Sequence, residues 1–273
     1  MEKFDGSGNY PEKHLADWPE NYPVNYLVNY HTHTAYCRHA GGTAEDYAQE
    51  AFRKGLETLG FSDHLPFPGD PFGYRMPYEE IGEYITDVYR EKERYKGQME
   101  ILCGFEGEYI RGKEDFYEEL LTAGGCDYLL MGQHMYLDRL GQLCYAGGLS
   151  GTEQYPDYAE SLAEGMKTGY FCCVAHPDYM FINSFAWDGN CERACDIIID
   201  AAVKEGCLLE YNANGYRRGV DELRMACVCS IHTGDSGNGR QGPAFPYSSV
   251  PTAILLKSYM MNLWIWPGWM RRR

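Results

Sequence analysis

Six histidines and one glutamate stand at the carboxyl ends of successive apolar runs, which ties the chain to a fold that gathers its strand ends on one face. The first group is Asn29-Tyr-His-Thr-His-Thr-Ala-Tyr-Cys-Arg-His39, which follows Tyr26-Leu-Val28 and carries His31, His33 and His39. His64 lies in Gly60-Phe-Ser-Asp-His-Leu-Pro66, and Glu106 closes Met99-Glu-Ile-Leu-Cys-Gly-Phe-Glu106. His134 closes Asp127-Tyr-Leu-Leu-Met-Gly-Gln-His134, and His176 lies in Phe171-Cys-Cys-Val-Ala-His-Pro-Asp178. Residues i and i+2 of a strand share a face, so His31 and His33 lie side by side at a strand end. Two imidazoles so placed can grip one metal ion. A lone histidine is usually a surface or satisfied core group; six in this pattern predict a metal centre. His14 and His232 stand outside it.

The apolar runs, near 25–30, 57–61, 100–106, 127–132, 171–175 and 206–211, read as strands. Helical patterns fall between them. Thr43 with Asp46 three residues later has the shape of a capping box. The stretch from Pro77 to Gln98 is long, charged and periodic, and Thr152 to Lys167 and Cys191 to Lys204 complete the set. Unbroken alternation of β and α predicts a parallel, barrel-like α/β fold. In such barrels functional residues gather at the carboxyl ends of the strands.

Composition bounds the function. The 273 residues suffice for one large domain, and the net charge of −16 argues against a nucleic-acid surface. It does not argue against a phosphate substrate, because bound divalent cations would set the local field. No apolar leader opens Met1 to Tyr10, and no membrane-spanning run is present. The expectation is a cytoplasmic protein whose eleven cysteines are reduced thiols.

Taken in order, His31-Thr-His33 with His39, Ser62-Asp-His64, Gly104-Phe-Glu106, Gly132-Gln-His134, Ala175-His-Pro-Asp178 and Glu210-Tyr-Asn-Ala-Asn-Gly-Tyr-Arg217 resemble the PHP (polymerase and histidinol phosphatase) superfamily of metal-dependent phosphoesterases. The loop Leu65-Pro-Phe-Pro68 with Tyr74-Arg-Met-Pro77 resembles its histidinol-phosphatase branch. The likeness spans residues 25 to about 224. It implies a distorted (β/α)7 barrel holding two or three divalent metal ions, Zn, Mn or Fe.

The resemblance also implies residue roles. His31, His33 and Glu106 resemble ligands of a first metal, and Glu106, His134 and His176 those of a second, with Glu106 bridging. His39 and His64 resemble ligands of a third. Imidazole suits Zn, Mn and Fe, and a water between two such cations becomes a nucleophile near neutral pH. Glu106 and Asp63 are the candidate catalytic carboxylates. Asp63 and Asp178 read as residues that orient neighbouring histidines. Arg217 is the candidate phosphate fork, against the plainer reading of a solvated arginine beside Arg218. Glu79 and Glu80 read as solvated charge.

The family closes with a strand ending in Gly-Ser-Asp-x-His, whose Asp and His ligate the first and third metals. Nothing after Arg224 reads that way. The tail instead crowds three tryptophans into Trp264-Ile-Trp-Pro-Gly-Trp269 and ends in three arginines. Shifting the frame so that each codon starts on an old third base changes this. Ser249 to Ile254 then permits Gly-Ser-Asp-x-His in register. Ala244-Phe-Pro-Tyr247 permits an apolar-Pro-apolar strand. Tyr259-Met-Met-Asn262 forces Tyr or His, then Asp, then Glu, and Trp264 before Ile265 forces Asp. Residues 1–224 therefore read as the phosphoesterase domain with six β/α units. Residues 225–273 read as an out-of-frame tail in which the seventh strand is missing or altered. Against this stands an idiosyncratic natural tail.

The expected activity is hydrolysis of a small anionic phosphomonoester, histidinol phosphate to histidinol plus phosphate, with no nucleic-acid or membrane partner. The alternatives are another PHP phosphoesterase acting on nucleotides or small phosphates, and a catalytically dead metal-binding remnant. A deaminase-like hydrolase also uses a strand-end His-x-His, but the contexts of Glu106, Gln133-His134 and His176-Pro177 favour the phosphoesterase. Restoring the frame is expected to raise solubility, melting temperature and phosphatase rate together. The rate should rise about a hundredfold or more, because loss of one transition-state contact has that scale. Comparable activity in both forms would show the tail to be genuine.

Overall fold

The computed structural model describes residues 28–69, 72–73 and 75–210. Among these, six strands form one parallel sheet: β1 (Val28–Asn29), β2 (Thr58–His64), β3 (Glu100–Gly107), β4 (Tyr128–Met131), β7 (Cys173–Val174) and β8 (Leu208–Leu209). They lie in that order, every neighbour parallel. Helices connect them: α1 (Ala44–Arg53), α2 (Ile81–Arg94), α3 (Glu114–Thr122), α4 (Tyr155–Thr168) and α5 (Gly189–Glu205). No helix among the described residues is long and apolar enough to cross a membrane.

The sheet curls. Six strands lying flat would set their edges roughly 24 Å apart at about 4.8 Å per strand. Yet His31, just past β1 at one edge, lies 2.8 Å from Glu210, just past β8 at the other. Tyr128 on β4 likewise donates to the carbonyls of Tyr30 (2.7 Å) and Phe61 (2.9 Å), reaching back across the concave face. Tyr30, Leu102, Tyr128, Leu130, Cys172 and Cys173 fill that interior. The Tyr128 ring lies flat on the strands: a Cβ on Gly104 would meet it at 2.5 Å. A bare glycine is therefore required there.

Period-two alternation sorts each strand between two layers. Leu59 and Phe61, Ile101, Cys103 and Phe105, and Leu129 and Met131 face outward into the large core beneath the helices. The alternate residues face inward, and at the carboxyl ends those are His64 and Glu106. The β2–β3 register pairs them directly.

The six expected strands are present, and the capping box at Thr43 is formed, Thr43 and Asp46 each accepting from the other's backbone. Two features were not anticipated. Helix α3 buries only Tyr117 and Leu120 and has no side-chain cap, so it left little periodic or capping signal. The antiparallel hairpin β5 (Met135–Leu137) and β6 (Leu143–Tyr145) has strands too short to show alternation. Its turn is held by Asp138, whose carboxylate accepts from the backbone N–H groups of Leu140 and Gln142, both at 2.8 Å. The stretch from Pro77 to Gln98 divides into a 3-10 turn at Tyr78–Glu80 and α2, which stops at Arg94, three residues before Gly97 with φ 76°. The expected seventh strand, the altered tail and Arg217 lie outside the described residues.

Candidate metal centre

The site is built around Glu106, whose side chain is fully buried at the end of β3. Its two oxygens face different groups. Oε2 is 3.3 Å from His31 Nε2, 3.1 Å from His33 Nε2 and 3.1 Å from His64 Nδ1. Oε1 is 2.7 Å from His176 Nε2 and 3.8 Å from His134 Nε2. His39 joins at the rim, its ring 5.2 Å from that of His33 and 4.8 Å from that of His64. All seven residues expected to ligate metal thus meet in one place. The donor atoms also group as His33, Cys37, His39 and His64; as His31, Glu106 and His176; and as His64, Glu106 and His134.

Local structure explains the convergence. Gly132 faces Glu106, and a Cβ there would overlap the carboxylate, with its carbon at 2.5 Å. The loop after β1 is held by Asp63, whose carboxylate accepts from Thr34 N (2.8 Å) and Thr34 Oγ1 (2.9 Å). The expectation for Asp63 was contact with a neighbouring histidine; its hydrogen bonds go to Thr34 instead, so it acts on the loop that carries His31, His33 and His39. His176 has a left-handed backbone, φ 30°, which a non-glycine residue adopts at a cost of about 1–3 kcal/mol. Glu210 supports it by accepting from His176 N at 2.9 Å.

Three histidines have their second ring nitrogen engaged outside the cluster. His31 Nδ1 meets Glu210 Oε1 at 2.8 Å, His134 Nδ1 meets Glu108 Oε1 at 3.3 Å, and His33 Nδ1 meets Cys37 Sγ at 3.0 Å. Sequence reasoning assigned none of these partners. Glu210 stood in a quoted motif at the end of a strand, and Glu108 stands two residues past Glu106, so position carried some signal for both. Cys37 carried none, because a cysteine's role depends on what surrounds it. Behind Glu108 lies Arg75, paired with it at 2.9 and 3.1 Å and also donating to Leu65 O at 2.7 Å. Both Arg75 and Glu108 are buried, as are Leu65, Phe67 and Met76, so this loop packs inward behind His134.

Charge in the cluster is contested. Burial pushes Glu106 up, but His31, His64, His134 and His176 outweigh it and hold the carboxyl well below its usual range. Glu108 is buried too, yet its bonds to His134 and Arg75 hold it down at about 2. Burial pushes His64 down to about 4 against the pull of Glu106, while the carboxylates of Glu210 and Glu106 overcome burial and raise His31. Asp178 is pushed up to about 6 by burial, with His176 opposing. One carboxylate shared among five imidazoles cannot satisfy them all through protons. Of the buried side-chain atoms that make no hydrogen bond among the described residues, two belong to this cluster, Glu106 Oε2 and His176 Nδ1. The nine described cysteines are all free, and of the two helix-surface acids Glu79 is exposed while Glu80 pairs with Arg38 at 2.5 Å rather than standing as lone solvated charge.

A model of the PHP domain matches residues 29–214. A Deinococcus radiodurans protein described as a probable histidinol-phosphatase is 29% identical over 207 residues, 72% of this chain and 76% of that protein. Among solved structures, a Listeria monocytogenes protein put forward as a histidinol phosphatase superposes with a TM-score of 0.58 at 19% identity, covering 75% of this chain and 90% of that one. A Lactococcus lactis histidinol phosphate phosphatase complexed with zinc, L-histidinol and phosphate superposes with a TM-score of 0.51 at 15% identity, covering 67% and 72%. At such identities the structural likeness speaks to the fold.

Gly132→Ala is expected to displace the Glu106 carboxylate. Metal content by elemental analysis should fall, while far-ultraviolet circular dichroism stays that of the parent. Unchanged metal content would show that the space beside Glu106 is not needed.

Proposed function

The chain belongs to the PHP domain family, and we propose that it is a metal-dependent phosphoesterase whose substrate is histidinol phosphate. The observation that carries this reading is the two-sided environment of Glu106, with imidazole nitrogens facing both of its oxygens. Two or three divalent cations would be held there: one by His31, His33 and Glu106, a second by Glu106, His134 and His176, a third by His39 and His64. The donor chemistry fits, since imidazole nitrogen and carboxylate oxygen suit Zn, Mn and Fe. Glu106 Oε2, buried and close to three imidazole nitrogens yet accepting no hydrogen bond, supports it as well.

When bound, the cations supply positive charge for the phosphoryl oxygens and acidify a water for in-line attack on phosphorus. The chain's own residues do the positioning. Glu210 and Glu108 take the Nδ1–H of His31 and His134, which leaves each Nε2 lone pair turned toward Glu106. Asp63 fixes the loop that carries His31, His33 and His39. Arg217 would fork onto the phosphate. The products are the alcohol and inorganic phosphate.

The substrate assignment rests on the loop at 65–77 and on the relatives, which include a probable histidinol-phosphatase and a protein complexed with zinc, L-histidinol and phosphate. Phosphate release by the frame-restored chain, with Mn or Zn supplied, should be faster on histidinol phosphate than on a nucleoside monophosphate. Equal or better rates on the nucleotide would move the chain to another phosphoesterase specificity.

A further inference from the structure

The loop after β2 turns inward at Arg75, whose side chain is buried. Four of its five N–H groups find acceptors. Nη1 donates to Glu108 Oε2 at 2.9 Å and to Leu65 O at 2.7 Å. Nη2 donates to Glu108 Oε1 at 3.1 Å, and Nε donates to Gly73 O at 3.1 Å. The guanidinium carbon stands 5.0 Å from the centre of the Phe72 ring, within cation–π range. Two carbonyls and an aromatic ring of one loop thus fix where the guanidinium stands. Glu108, two residues past Glu106, meets it with both carboxylate oxygens, and the same Oε1 lies 3.3 Å from His134 Nδ1. His134 in turn directs Nε2 to Glu106 Oε1, 3.8 Å away.

We propose that Arg75 is a positioning residue for the metal centre: its fork fixes the plane of the Glu108 carboxylate, so that Oε1 holds the His134 ring toward Glu106. This deepens the proposed metal centre and rests on that reading for its effect on metal. A single hydrogen bond leaves a carboxylate free to rotate about its Cγ–Cδ bond. Two parallel bonds from a planar guanidinium do not, and an ammonium group cannot supply them. Glu108 therefore depends on Arg75 for its orientation, and His134 depends on Glu108. Arg75 also braces the chain from the other side. Leu65, which follows His64, gives its carbonyl to Arg75 and donates its N–H to Glu106 O at 2.7 Å. The loop on which the substrate assignment rests is thereby joined to the His134 side of the cluster. Outer partners of metal ligands set affinity by about ten- to a hundredfold.

The test compares the full chain with Arg75→Met, Arg75→Lys, Glu108→Gln and the double variant Arg75→Met with Glu108→Gln. In zinc titrations against a competing chelator, His134→Ala identifies the equivalent held through His134. Arg75→Met should weaken that equivalent by about tenfold or more and leave the one held through His31 and His33 unchanged. Arg75→Lys, which keeps the charge and loses the fork, should fall between the parent and Arg75→Met. Because Arg75 acts through Glu108, the double variant should bind no more weakly than Glu108→Gln alone. Losses that multiply in the double variant, equal weakening of both equivalents, or an Arg75→Met chain that binds as the parent does would each overturn the proposal. In the metal-free chain the His134 ring resonances, assigned by the His134 substitution, should move in Arg75→Met and in Glu108→Gln while those of His31 hold. A parent that takes up no zinc overturns the proposed metal centre instead, and the His134 resonances then decide the role of Arg75: unmoved in Arg75→Met, they overturn it. Matching circular dichroism separates positioning from loss of fold. Should Arg75→Met not fold, Arg75→Lys and the double variant, which buries no unpaired charge, carry the same comparison.

Discussion

Everything in the described domain converges on one buried carboxylate that no proton can satisfy. Glu106 sits with its side chain fully buried, ringed by five imidazoles at 2.7 to 3.8 Å. Burying a charge without compensation costs several kcal/mol, which is why buried carboxylates are paired or bound to metal. The surrounding histidines can offset that charge only by taking up protons, and they compete for a single partner. Divalent cations would resolve the conflict, since they would let neutral imidazoles and one ionised carboxylate share positive charge.

The curl of the sheet exists to make this convergence possible. His31 and Glu210 belong to opposite edges of the strand order, yet touch. Tyr128 stitches the concave side by holding the carbonyl of Phe61 on β2 and that of Tyr30 just past β1, and Gly60 and Gly104 leave room for its ring. The same interior face that carries this packing carries His64 and Glu106 at its upper end. Packing below and the histidine–carboxylate cluster above are therefore set by one alternation along β2 and β3.

Sequence position alone marked the residues that gather around Glu106, because strand ends are marked by where apolar runs stop. His31, His33, His64, Glu106, His134 and His176 all followed that signal, and all meet in the structure. The residues that orient them were less legible. Arg75 and Cys37 act through side-chain contacts that depend on which loops lie against each other, and no local pattern encodes that. Asp63 shows the limit most clearly. Its place beside His64 suggested a histidine partner, whereas alternation turns it outward to Thr34. Helix α3 and the β5–β6 hairpin escaped notice for a simpler reason: each is short and buries few side chains on a regular period.

The most direct measurement is metal stoichiometry of the purified chain and of Glu106→Gln, by elemental analysis after reconstitution with zinc or manganese. Glutamine keeps the size of the side chain but removes the charge and one acceptor oxygen. The parent should retain at least one tightly held equivalent through Glu106, His134 and His176, and Glu106→Gln should retain almost none. A parent that takes up no metal, or a Glu106→Gln variant that holds as much as the parent, would contradict the account.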